Sequence, residues 1–433
     1  MNLLSYLMKS RGPVNAARRL SVIGRRFGLS SARMDRALQD FSKIGQQYGC
    51  TPTLAVTAVL LERYPKVFQR LQETVELAVH GYVHTDYSRL DDAAQAEHME
   101  RALKPCGGLG LSPEGFRCPY LRWNEESFHV AGRFGLNYGS NRALAWDVVQ
   151  PESVGPRAWA AYEKGLRLYS AGEAAHGLSL PSRVDGALVD IPASLPDDEA
   201  MVDRLGLGNG AQAAAIWTEI LKQVHQRGEI MTLILHHERV AILREALEAV
   251  LSSARGYQPP VWVAPLREIA RWWSERLTWR LQVQRREDGG YQVVAPDAPG
   301  ATVVVRGVET EPAAVPWFGP YQVVPAPSFT VRSPRAPVVV PDKESSPALR
   351  AFLQEEGFVV GEDAAARAEG LRINGYTSFA ESDKRALIDF IEGSDAPLVR
   401  LWRWPNGARC AMSVTGDVDA MTMLDFLRRP LEV

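Results

Sequence analysis

Two histidines, His80 and His84, stand four residues apart in ELAVHGYVHTDY, residues 76–87. Leu77, Ala78 and Val79 form a short apolar run that delivers His80 at its end. Neutral imidazole is a common ligand of zinc and related divalent ions. If the chain turns helical after the strand, residues four apart share one face and both rings can address one ion. Two imidazoles do not complete a site, so a carboxylate must come from elsewhere. An isolated HxxxH also fits two surface histidines near a turn, so other stretches have to decide.

Three sequence-distant places repeat the pattern of an apolar lead-in followed by a chemically able residue. Arg117 and Tyr120 lie in GLSPEGFRCPYLRW, residues 110–123. His236 and His237 end the strongly apolar start of MTLILHHERV, residues 231–240. Asp417 and Asp419 follow the apolar run that begins at Cys410. In parallel α/β folds the C-terminal ends of the strands open on one rim, where sites are built. Such a rim would gather two imidazoles, a carboxylate pair, a guanidinium and a third imidazole. That is a metal site with an acid/base pair, the minimum for metal-assisted hydrolysis.

These strings together resemble the NodB-type polysaccharide deacetylases (carbohydrate esterase family 4). TGDVD (residues 415–419) is similar to the family's TFDDG or FDVD strand end, and HGYVH (residues 80–84) to its HxxxH. RCPY (residues 117–120) is similar to RxPY, and LILHH (residues 233–237) to the late L-x-LH strand end. The resemblance implies that Asp419, His80 and His84 bind a divalent metal, zinc first, with cobalt or nickel as alternatives. It implies that Asp417 is the general base, that Arg117 holds it ionised and oriented, and that the Tyr120 backbone N–H helps bind the oxyanion. His236 would protonate the leaving amine. His237, where a Pro is frequent in related sequences, leaves open which of the two acts, and His236 is favoured at the strand end. Gly416 replaces the Phe of TFDD and is expected to loosen the strand end. The family's DxxDW is not convincingly present; Trp146-Asp147 reads as a core Trp beside a solvated Asp.

Order is the largest departure, because the Asp strand, first in the family, comes last here. Circular permutation is the simplest account, and folds whose termini lie close tolerate it. The expected fold is α/β, a distorted (β/α) barrel of the NodB type, circularly permuted, with a small inserted β module. Residues 28–277 would form most of the barrel, with TPTLAVTAVL (residues 51–60) as a buried strand. Residues 278–342 alternate apolar and polar positions between Gly and Pro turns, which reads as antiparallel β structure. Residues 343–400 read as a helical connecting segment, and residues 401–433 as the permuted first strand and helix.

Composition sets the wider limits. Hydrophobic content of 46% and charged content of 23% are those of an ordinary globular protein. A net charge of −2 implies neither nucleic acid nor an acidic membrane surface as partner. The four cysteines form no CxxC pair and read as free thiols in a reducing compartment. No run of about 20 apolar residues exists to span a membrane, and no secretory leader is evident, so a cytoplasmic location is expected. The basic, partly apolar residues 1–27 read as a solvated helix. The expected activity is removal of an N-acyl group, usually acetyl, from an amino sugar or glycan. The competing readings are hydrolysis of another C–N bond, as in allantoinase-like relatives, and an inactive barrel that binds glycan or a partner.

Overall fold

Met34, Leu38, Phe41 and Ile44 recur at helical spacing, and all four are buried where residues Ala32–Gln47 form helix α1. The computed structural model describes residues 23–432, apart from residues 25, 362 and 363. Residues 1–22 of the basic N-terminal stretch therefore lie outside the described residues.

The main sheet is built from short apolar strands. They are β1 (Thr53–Val56), β2 (Glu76–Val79), β3 (Gly115–Phe116), β4 (Tyr138–Gly139) and β5 (Leu188–Asp190). Along the chain follow β6 (Ala193–Leu195), which lies outside this sheet, and then β7 (Ile230–Ile234) and β8 (Val261–Val263) within it. The last is β9 (Cys410–Val418), nine residues that are all buried. In space the order runs β7, β9, β1, β2, β3, β4, β5, then the antiparallel edge strand Ser182–Asp185, with β8 also paired to β9. The pairings from β7 through β5 are parallel. β6 belongs to a small parallel sheet with Ala143–Ala145. It joins the rim beside β7, where the Ser194 hydroxyl accepts from the Thr232 amide at 3.2 Å. Helices α2 (Asp92–Gly108), α3 (Gly210–Arg227), α4 (Val240–Gly256), α5 (Leu266–Arg276) and α6 (Met423–Glu432) complete the elements used below. The whole is a curled, distorted half-barrel of mostly parallel strands, the fold class expected from the alternation of strands and helices.

β9 pairs in parallel with β1 in the register Thr53↔Thr415 to Val56↔Val418, and with β7 on its other side. The strand that carries Asp417 thus lies between two strands that come far earlier in the chain. It lies one strand from β2, which leads to His80.

Two local expectations are corrected. The apolar run 51–60 is not one strand: β1 ends at Val56, and a helix starts at Ala58 with Ala58, Leu60 and Leu61 buried. A helix packed inward continues the apolar pattern of the strand before it, and periodicity alone cannot separate the two. The stretch after His80 is also not helical, since residues 82–84 form a bend. Gly81 adopts φ +76°, and a Cβ there would meet the Val83 carbonyl and the Tyr87 ring at 3.1–3.2 Å. The tight turn, rather than a helix face, brings the two imidazoles to a centroid distance of 5.3 Å.

Residues 282–332 form antiparallel strands whose inward residues, among them Val293, Val303 and Phe329, share an apolar core with Val399 and Leu401. Among the described residues, no helix is long and apolar enough to cross a membrane.

Candidate functional site

His80 follows β2, and its backbone amide donates to the Val56 carbonyl at 3.0 Å, which fixes the residue at the rim. Its Nδ1 lies 2.8 Å from the Arg117 carbonyl oxygen. A carbonyl only accepts, so Nδ1 carries the proton and Nε2 carries the lone pair. That Nε2 is buried without a hydrogen-bond partner and faces Asp419 Oδ1, likewise unpartnered, across 3.3 Å. His84 Nε2 lies 3.2 Å from Asp419 Oδ2. Ligand-capable atoms of His80, His84 and Asp419 all lie within 4.8 Å of one another. Burial lowers the His84 pKa, opposed by the Asp419 charge, so the imidazole is neutral. Burial alone would raise Asp419, but His84, Arg429 and His80 outweigh it and hold the carboxylate well below its ordinary value. A neutral imidazole, a charged carboxylate and two buried acceptors facing each other fit a divalent cation. One contact runs against that fit: Arg429 of α6 donates to His84 Nδ1 at 2.5 Å and lies 3.2 Å from Asp419 Oδ2.

Asp417 lies beside this cluster, its Oδ2 3.9 Å from His80 Nε2. Its Oδ1 accepts from Arg117 Nη1 at 2.8 Å. Arg117 is 2% exposed and is held from the other side, donating to the Ser140 carbonyl at 3.1 Å, the Ser140 hydroxyl at 2.8 Å and the Thr415 hydroxyl at 2.9 Å. The expectation that Gly416 loosens this strand end is corrected, because the strand runs on to Val418. A Cβ at Gly416 would sit 2.4 Å from the Leu235 carbonyl oxygen, so glycine is what lets β9 and the end of β7 approach.

The two adjacent histidines have different surroundings. His236 lines the cavity, and its Nδ1 lies 2.8 Å from Asp198 Oδ1, with its amide 2.8 Å from Asp198 Oδ2. His237 is 1% exposed, with Nε2 3.0 Å from the Ala420 carbonyl and Nδ1 3.4 Å from the Asp417 carbonyl. It therefore braces the backbone of the acidic turn. Burial would lower the His236 pKa, but the charge and hydrogen bond of Asp198, with Glu238, raise it well above the ordinary imidazole value. Asp198 is correspondingly lowered to about 2: burial acts against ionisation, and His236 and Arg239 outweigh it. Its neighbour Asp197 is pushed up to about 7 by burial and by the adjacent Asp198 charge. Sequence reasoning passed over Asp198. The available signal was the acid pair that closes ALVDIPASLPDD, directly after an apolar strand.

The groups open into one cavity of about 520 Å³, lined among others by His84, Tyr120, His236, Asp417 and Asp419. Tyr120 and Leu121 both have positive φ, 62° and 53°, a strained pair that turns the chain at the cavity wall. Trp146 and Asp147 stay apart from the cavity. Trp146 is buried under Arg227, and Asp147 accepts from Gln150 at 3.2 Å on the surface. Trp123 packs on Phe128 at a ring distance of 4.8 Å.

Residues 35–139 match the sequence profile of the Polysaccharide deacetylase family, a span that contains HGYVH and RCPY. No curated protein matches the chain. Among solved structures, a probable polysaccharide deacetylase from Pseudomonas aeruginosa PAO1 is similar at 20% identity. That likeness covers 55% of this chain and 73% of the other, with a TM-score of 0.43. Puue allantoinase is similar at 18% identity, over 55% of this chain and 72% of the other, with a TM-score of 0.44. The likeness to the Polysaccharide deacetylase family profile is thus confined to residues 35–139.

Proposed function

We propose that the chain hydrolyses an N-acyl group, usually acetyl, from an amino sugar or glycan, with a divalent metal held by His80, His84 and Asp419. The observation that carries the reading is the pair of buried, mutually facing acceptors His80 Nε2 and Asp419 Oδ1, set beside the Asp417–Arg117 and His236–Asp198 pairs in one cavity. When bound, zinc, cobalt or nickel would supply a Lewis acid for the attacking water and the acyl carbonyl.

The protein groups divide the proton transfers. Asp417 takes a proton from the attacking water; Arg117 occupies its Oδ1, which leaves Oδ2, the oxygen nearer the triad, for that proton. His236, charged at neutral pH through Asp198, gives its Nε2 proton to the leaving nitrogen. Water and amide thus become carboxylic acid and amine, with one proton moved to Asp417 and one from His236. The Tyr120 backbone N–H is assigned to the oxyanion, supported by its place on the cavity wall.

We read the chain order as circular permutation, supported by the position of β9 between β1 and β7. The division into residues 28–277, 278–342, 343–400 and 401–433 belongs to the same reading. Elemental analysis of protein purified without chelator, followed by an acetate-release screen over N-acetylated sugars, tests the function. One divalent ion per chain and acetate release that Asp417→Asn abolishes are expected. Protein that binds no zinc, cobalt or nickel overturns it.

A further inference from the structure

The two imidazoles of the triad are prepared in opposite ways. His80 donates from Nδ1 to a carbonyl, so its Nε2 is ready to ligate. At His84 the neighbour of Nδ1 is the Arg429 guanidinium, at 2.5 Å. A guanidinium only donates, so His84 Nδ1 must accept and its proton must sit on Nε2. That Nε2 is the atom facing Asp419 at 3.2 Å, the one needed for a metal bond. An imidazole bound to an ion through Nε2 carries its proton on Nδ1, where it would then meet an Arg429 N–H head on. Arg429 also takes Asp419 Oδ2 at 3.2 Å, the other carboxylate oxygen of the triad.

We propose that Arg429 is a resident counter-cation that competes with the divalent metal for His84 and Asp419, so that metal binding and Arg429 docking exclude each other. The proposal rests on the metal reading above. The geometry leaves Arg429 somewhere to go. The start of α6 is pinned apart from it by Asp425, which accepts from Thr422 and Tyr64 at 2.8 Å and from Arg63 at 3.0 Å. The Arg429 side chain already lines the cavity and lies over the Phe426 ring, 5.1 Å from its centroid, so it can leave His84 without the helix unfolding. Linkage makes the coupling reciprocal: metal weakens the Arg429 contact, and loss of that contact tightens metal binding.

The test is zinc and cobalt affinity of the full chain, measured by competition with a chromophoric chelator, for the parent, Arg429→Met and Arg429→Lys. Methionine keeps the contact with Phe426 and removes the charge and the donors. We expect Arg429→Met to bind at least tenfold tighter, within the range of coupling between linked sites, and Arg429→Lys to lie between. Equal or weaker binding by Arg429→Met overturns the proposal while leaving the metal reading intact. No binding by either protein overturns the metal reading itself. Arginine side-chain nitrogen NMR of the parent with and without zinc serves if Arg429→Met does not fold. A shift of the Arg429 guanidinium signal with zinc is expected, and an unchanged signal overturns the competition.

Discussion

Replacing Asp198 with asparagine removes the charge behind His236 and nearly preserves the shape. Asp198 has a fully buried side chain and takes two contacts of 2.8 Å from His236 and one of 3.3 Å from Arg239. Its pKa falls from the ordinary 3.8 to about 2, with burial outweighed by the His236 and Arg239 charges. That gap corresponds to roughly 2–3 kcal/mol of preference for the charged form. The Asp198 value is depressed by folding, so its stabilisation is present above pH 3.8 and is lost as pH falls through about 2. His236 is raised by folding, so its contribution is full below 6.5 and is lost as pH rises through the folded value. In Asp198→Asn the largest opposing charge is gone and burial is countered by Glu238 alone, so the His236 pKa should fall from its raised position. Asp197, held up to about 7 partly by the Asp198 charge, is then free to ionise and partly replace it. The double variant Asp197→Asn/Asp198→Asn closes that route. Imidazole nitrogen NMR of the metal-free protein, titrated at fixed salt, reads His236 directly and needs no substrate. Unchanged His236 titration in both variants would refute the pairing as the source of its charge.

Three further outcomes are expected. Gly416→Ala forces a Cβ to 2.4 Å from the Leu235 carbonyl, so stability should fall by about 1–3 kcal/mol and metal affinity with it; a variant with the parent's urea midpoint and affinity argues against the close approach. Arg117→Met strands Asp417 as a buried charge and should cost about 3–5 kcal/mol, part of which Asp417→Asn restores in the same background; simple additivity in the double-mutant cycle contradicts the pair. Deletion of residues 410–433 removes a strand paired with β1, β7 and β8, so the remainder should be insoluble; a soluble, cooperatively folding product shows β9 to be dispensable.

Much of the rim was legible because strand ends announce themselves: an apolar run that stops at His80, at His236 or at Asp417 has few other uses. The details that depend on contact were not. HxxxH is the same string whether a helix or a Gly81 turn brings the rings together, and only the close packing around Gly81 favours the turn. Asp198 sits in a polar loop whose partner, His236, is 38 residues away, and no local pattern encodes that pairing. Arg429 carries no local signal, because its contacts with His84 and Asp419 exist only once α6 docks. Gly416 looked like a loss against the family pattern until Leu235 was seen to occupy the space of its missing Cβ.

The acidic strand end shows how one element can serve two roles. Successive residues of a strand point to opposite faces, so residues two apart share one. Asp417 and Asp419 are two apart, and both face the cavity, while Val418 between them is fully buried and its carbonyl accepts from the Thr57 amide at 3.2 Å. The distances from His80 Nε2, 3.3 Å to Asp419 and 3.9 Å to Asp417, follow from that alternation. Arg117 then separates the two carboxylates in function by occupying an oxygen of Asp417 alone, while Asp419 keeps both oxygens toward the imidazoles and Arg429. The proposed base and the proposed ligand are thus the same residue type at the same strand end, and what distinguishes them is which cation each one faces.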